Sequence, residues 1–152
     1  MSRIKIELPK SFVFETEIPV RISDINYGGH VGNDAILSIA HEARVRFLIQ
    51  LGYTEFNIEG RSIIMTDAAV QYKSQSFYGE VLRIEIGIED FQEHGCDFLY
   101  RVTEKDSRRE VARIKTGIVF FDYGKGKISE LPEQFRAKVL SLSTMDSPPS
   151  RE

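Results

Sequence analysis

From Ala35 to Leu51 the chain runs without a glycine or a proline. Ile36, Ile39, Ala40, Ala43, Phe47 and Leu51 recur there at helical spacing until Gly52 supplies a stop. Leu37, Val45, Leu48 and Ile49 widen the apolar surface beyond one stripe, so this helix has to be buried over most of its circumference. The rest of the chain changes period. From Phe12 to Ile22 apolar residues tend to alternate with Glu15, Glu17 and Arg21, and Ile63 to Lys73 is rich in strand-forming residues. Val81 to Asp90 sets Leu82, Ile84, Ile86 and Ile88 against Arg83, Glu85 and Glu89, and the alternation returns at Phe98–Val102 and Ala112–Phe120. Turn residues (Tyr78-Gly79-Glu80, His94-Gly95, Lys105-Asp106-Ser107, Tyr123-Gly124) separate these runs. The pattern predicts a strand, a loop, a long helix, a meander of four antiparallel strands and a short helix over Leu131–Leu140. A lone sheet must cover its apolar face, and only the long helix can do so. The expected class is α+β: one domain over residues 1–140, its antiparallel sheet wrapped around one central helix.

Residues 141–152 are polar and proline-bearing, and are expected to form a disordered tail. A chain of 152 residues can make a core without staples. Its net charge of −3 offers no basic surplus for nucleic acid or anionic membranes. Cys96 is the only cysteine, which fits a reducing compartment. No export signal and no run approaching the ~20 apolar residues of a membrane span is evident, so a cytoplasmic protein is expected.

The stretch from Arg21 to Leu48 joins a polar loop directly to the helix. Asp24, Asn26 and His30 lie close together, Gly28 and Gly29 free the backbone between them, and Asn33 and Asp34 are both good N-cap types. A helix start beside ionisable side chains offers unpaired N–H donors of the kind that stabilise a developing oxyanion.

The segments Asp24-Ile25-Asn26, Gly29-His30-Val31-Gly32-Asn33 and His41-Glu42-Ala43-Arg44, in that order, resemble the hotdog-fold thioesterases, in particular the 4-hydroxybenzoyl-CoA thioesterase-like group. Tyr72 and Phe77-Tyr78-Gly79-Glu80-Val81-Leu82 are similar to the family's Tyr-containing strand and Tyr-Gly-Asp-x-Leu turn. The resemblance runs from about Phe12 to Leu140. It implies hydrolysis of an acyl-CoA or acyl-carrier-protein thioester, with no cofactor or metal beyond the coenzyme A of the substrate. It also departs in two places. Asn26 stands where relatives keep a second acid, and Gly32 replaces the first Asn after His-Val. An amide cannot take a proton from water, so Asn26 is limited to orienting a water or a carbonyl.

The resemblance implies that the amides of Gly29, His30 and Val31 hold the thioester oxygen, and the glycines and the helix dipole agree with it. The base is open among three residues. His30 can serve as base or as a positioning group. Asp24 can hold a water with Asn26 or simply bond loop amides. Asp67, a charge inside the strand-like IIMTDAAV, can be a functional acid presented to a partner's loop or an outward-facing residue. Tyr27, Asn33, Tyr72 and Phe77 are candidates for substrate binding, with core packing the competing role for the aromatics. Glu42 falls too far along the helix for the site. Open sheet edges predict pairing with a second copy, as a homodimer or homotetramer. The main alternative is a hotdog protein that binds an acyl thioester without cleaving it; a hydratase would need a signature that is missing.

Overall fold

The computed structural model describes residues 3–145. In chain order it contains β1 (Phe14–Pro19), a 3₁₀ turn (Ile22–Asp24), α1 (Asn33–Gln50), β2 (Ser62–Tyr72), β3 (Val81–Glu89), β4 (Gly95–Glu104), β5 (Glu110–Asp122), β6 (Lys127–Ile128) and α2 (Glu133–Met145). The architecture is the expected α+β hotdog arrangement. Alternation on β3, β4 and β5 buries Leu82, Ile84, Ile86, Phe98, Tyr100, Val102, Ala112, Ile114, Ile118 and Phe120, and α1 turns Ile36, Ile39, Ala40, Ala43, Phe47 and Leu48 into the same core. The Phe47 ring sits 5.4 Å from Phe14 and 6.2 Å from Phe98, and each fully buried side chain of this size contributes roughly 1.5–3 kcal/mol. On α2, Phe135 and Val139 are buried, and Phe135 stacks edge-on against Phe120 at 5.5 Å.

The strand order is β1-β3-β4-β5-β2, with β6 attached to β5. The expected four-strand meander is therefore only three strands long, because β2 pairs with β5 rather than with β3. Alternation tells which residues share a face, not which strand is the neighbour. The consequence is that the β2–β3 connection, residues 73–80, must cross the end of the sheet past the β4–β5 hairpin. A bulge at Thr66 breaks the β2–β5 register between Met65 and Asp67.

Two further differences concern the ends. The N-terminal segment, which shows no periodicity, lies across the outer sheet face. Ile6 is buried there, its N–H donates to Gln71 Oε1 at 3.0 Å and its carbonyl accepts from Arg113 at 3.0 Å. Gly87 is required beneath it, since a Cβ there would stand 2.4 Å from Pro9. α2 continues through residues 141–145, where a tail was expected, and the rest of that expected tail lies outside the described residues. Among the described residues, no helix is long and apolar enough to cross a membrane.

Candidate active site at the start of α1

The loop between β1 and α1 is a closed turn. Ile25 and Val31 pair as an isolated antiparallel bridge, the Asn26 N–H donates to the His30 carbonyl at 2.9 Å, and Gly29 closes the turn at φ +87°. The Asn26 side-chain oxygen accepts from the N–H of Gly28 at 2.9 Å and of His30 at 3.4 Å, the local bonding that favours Asn in turns. The side-chain carbonyl oxygen of Asn26 is thus committed to shaping the loop.

Asp24 is buried and structural. Its carboxylate accepts from the Arg21 N–H at 2.8 Å and from the Arg21 guanidinium at 3.2 and 3.4 Å, which raises the Arg21 pKa further. Its carbonyl takes the Gly32 N–H at 3.0 Å.

The bonding of the loop amides bears on which of them can bind a carbonyl. Gly29 donates to the Asn26 carbonyl, His30 to the Asn26 side chain and Val31 to the Ser76 carbonyl at 2.8 Å, so the three N–H groups expected to bind a carbonyl are already in use. The N-cap also differs from expectation: it is Gly32, not Asn33 or Asp34, and it makes no side-chain capping bond. The N–H groups of Asn33 and Asp34, both exposed, have no acceptor among the described residues. These open donors carry the positive end of the helix dipole, worth about half an elementary charge.

His30 lies two residues before the N-cap Gly32. Its Nδ1 lies 3.1 Å from the Val31 carbonyl. A carbonyl can only accept, so Nδ1 carries a proton, and in the neutral ring Nε2 is the basic nitrogen. His30, Asn33 and Tyr72 line a cleft of about 260 Å³ together with Val31, Ile36 and Val111. Tyr72 donates its hydroxyl to the Asn33 carbonyl at 3.1 Å, and burial followed by the nearby Asp34 charge raises its pKa. Two of the expected substrate-contacting residues therefore share the cleft. The other two do not line it: Tyr27 projects freely into solvent, and Phe77 is 43% exposed outside.

Asp67 is elsewhere. It pairs with Gly117, between the inward-facing Thr116 and Ile118, and its carboxylate covers the space a Gly117 side chain would need. That places it on the sheet face away from α1. It shares a depression of about 370 Å³ with Asp90 and Asp97, where burial, eased by Lys115, raises the Asp97 carboxyl. The bulge at Thr66 shifts the register, and alternation counted along IIMTDAAV misses it. Burial pushes the Cys96 thiol up to about 12, which leaves it unreactive.

Glu42 bonds Arg46 at 2.9 Å on the β1 side of α1 and is structural, as expected from its distance. Arg44 was part of a motif without an assigned contact. It is buried and donates to Glu55 at 2.7 Å and to the Tyr100 hydroxyl at 2.9 Å. Burial works to raise the Glu55 pKa, but Arg44 and His41 outweigh it and hold the carboxyl below its ordinary value.

The fold and site together define a hotdog domain with an open helix start. A family model described as the thioesterase-like superfamily matches residues 20–139, and the chain belongs to that superfamily. No curated protein matches the sequence. Among solved structures, the chain is similar to a 1,4-dihydroxy-2-naphthoyl-CoA thioesterase from Synechocystis, with TM-score 0.77, 21% identity and coverage of 85% of this chain and 96% of the other. A Thermus thermophilus thioesterase complexed with coenzyme A and Zn gives TM-score 0.76 and 21% identity over 90% and 98% of the two chains. A DHNA-CoA thioesterase from Staphylococcus aureus gives 0.75 and 20% over 88% and 95%.

Proposed function

We propose that this chain hydrolyses an acyl thioester of coenzyme A or of an acyl-carrier protein by direct attack of water. The observation that carries the reading is the pair of open amides at Asn33 and Asp34, beside a His30 ring whose Nε2 is free and whose orientation is fixed. The thioester oxygen sits on those N–H groups, which stabilise the negative charge that develops as the carbonyl carbon becomes tetrahedral. His30 Nε2 takes a proton from the attacking water. The new C–O bond forms, the C–S bond breaks and the proton passes to the leaving thiolate, giving a carboxylic acid and a thiol. The uncommitted NH₂ of Asn26 orients the water. Asp24, held by Arg21, and Asp67, on the far face, take no proton. Relatives named for CoA thioesters, and one holding coenzyme A, favour that carrier.

The working unit is a homodimer or homotetramer in the cytoplasm. β2 ends the strand order, and its inward-facing Met65 and Tyr72 are 46% and 44% exposed. On α1 the row Leu37, His41, Val45 and Ile49 includes a 62% exposed isoleucine. A second copy pairing along β2 would cover both. Asn26 in place of an acid supports one rival reading, a protein that binds acyl thioesters without cleaving them.

Steady-state hydrolysis over a panel of short, long and aryl acyl-CoAs and acyl-carrier proteins decides between the two. Turnover with at least one class is expected. Tight binding with no turnover anywhere would establish the rival.

A further inference from the structure

We infer that Arg109, immediately before β5 and outside the cleft, is a positioning residue that acts through the 73–80 crossover to hold the start of α1 in its working geometry. This rests on the thioesterase reading above. The first residues of the crossover bond β5 through the backbone, Lys73 and Ser74 donating to the Val111 carbonyl at 2.8 and 3.2 Å, and beyond them side chains complete its shape. Arg109 provides much of it. Its Nε donates to Ser74 Oγ at 3.1 Å, and its Nη2 to the Gln75 carbonyl at 2.9 Å and to Glu80 at 2.9 and 3.2 Å. Glu80 passes the constraint on, accepting from the Ser76 hydroxyl at 2.8 Å and from the Phe77 N–H at 3.0 Å. Ser76 is only 1% exposed, and its carbonyl receives the Val31 N–H at 2.8 Å. Val31 stands directly before Gly32, the N-cap of α1.

A continuous chain of bonds therefore runs from the Arg109 guanidinium to the residue that sets where the Asn33 and Asp34 amides point. Ser74, Gln75 and Ser76 also form one wall of the cleft. The links from Arg109 to Glu80 are charge-assisted, and the planar guanidinium spreads its donors so that Nε takes the hydroxyl while Nη2 takes the carbonyl and the carboxylate. Burial works to raise the Glu80 pKa, but Ser76, Phe77 and Arg109 overcome it and keep the group ionised. Oxyanion donors lose their effect when misplaced by about 1 Å, so loosening this wall acts on turnover before it acts on the fold.

The test compares wild type, Arg109→Ala and Arg109→Lys by steady-state kinetics and by amide hydrogen exchange at Val31. Arg109→Ala is expected to lower kcat by about ten- to a hundredfold while KM moves less than about threefold. Exchange at Val31 should quicken, and millimolar guanidinium ion should restore part of kcat. Arg109→Lys should stay low. An unchanged kcat in Arg109→Ala would overturn the inference. So would a loss of activity that follows the unfolded fraction and resists guanidinium. If wild type cleaves no thioester, the proposed function fails on its own. The exchange comparison then decides the clamp alone: unaltered protection at Val31 in Arg109→Ala refutes it, and faster exchange reversed by guanidinium upholds the coupling.

Discussion

The two ends of α1 are finished in opposite ways. At the C-terminal end, Gly52 adopts φ +88° and donates to Ile49 at 2.9 Å, while Tyr53 donates to Leu48 at 2.8 Å. This is a Schellman closure that satisfies the last carbonyls. The Lys138 ammonium adds a bond to the Leu51 carbonyl at 3.4 Å. At the N-terminal end Gly32 caps the backbone turn without a side chain, and the donors of Asn33 and Asp34 are left open. A good N-cap contributes about 1 kcal/mol, so leaving it out keeps donors free at the end that faces the cleft. In the proposed function, one end serves stability and the other serves a ligand.

Three substitutions can break or sharpen this contrast. The largest effect is expected at His30→Ala, which removes the imidazole that lines the cleft. Its kcat should fall by about 10²–10⁴ at unchanged thermal midpoint. A full-rate variant would remove His30 from the mechanism. Next is Gly52→Ala, which places a side chain at positive φ in open space. It should cost about 1–2 kcal/mol, read in a denaturation curve, and leave kcat alone. The smallest change in stability belongs to Gly32→Ser. The backbone there, φ −71° and ψ 155°, suits any residue, although the Asp34 carboxylate, 2.7 Å from the new Cβ, must swing aside. The serine hydroxyl can accept the Asp34 N–H, raising stability by only a few tenths of a kcal/mol over glycine, and it should depress kcat by occupying a donor. Stability gained with no loss of rate would mean that the open amide is incidental.

Much of the architecture is legible in the sequence because it follows period and punctuation. The absence of Gly and Pro before Gly52 sets α1, and alternation sets β3, β4 and β5. The parts that are not legible depend on which elements meet. Nothing in the alternation of Ser62–Tyr72 says that β5 is its neighbour, and the bulge at Thr66 turns Asp67 away from α1. In the candidate site the residue types around Asp24, Asn26 and His30 mark the loop that leads into α1, and Asn33 and Tyr72 line one cleft with His30. The division of labour within the loop does not follow from type. Asn26 consumes the Gly28 and His30 amides, and the distant Ser76 consumes that of Val31, which moves the open donors forward to Asn33 and Asp34. Arg109 carries no local signal, since its partners lie 29–35 positions away. Only the Tyr78-Gly79-Glu80 turn hinted that the crossover had a set shape.

The most direct measurement is a crystal structure with an acyl-CoA analogue in which a methylene replaces the thioester sulfur. The analogue's carbonyl oxygen is expected about 3 Å from the Asn33 and Asp34 nitrogens, with a water between its carbon and His30 Nε2. A carbonyl seated beyond hydrogen-bond reach of both amides would contradict the account.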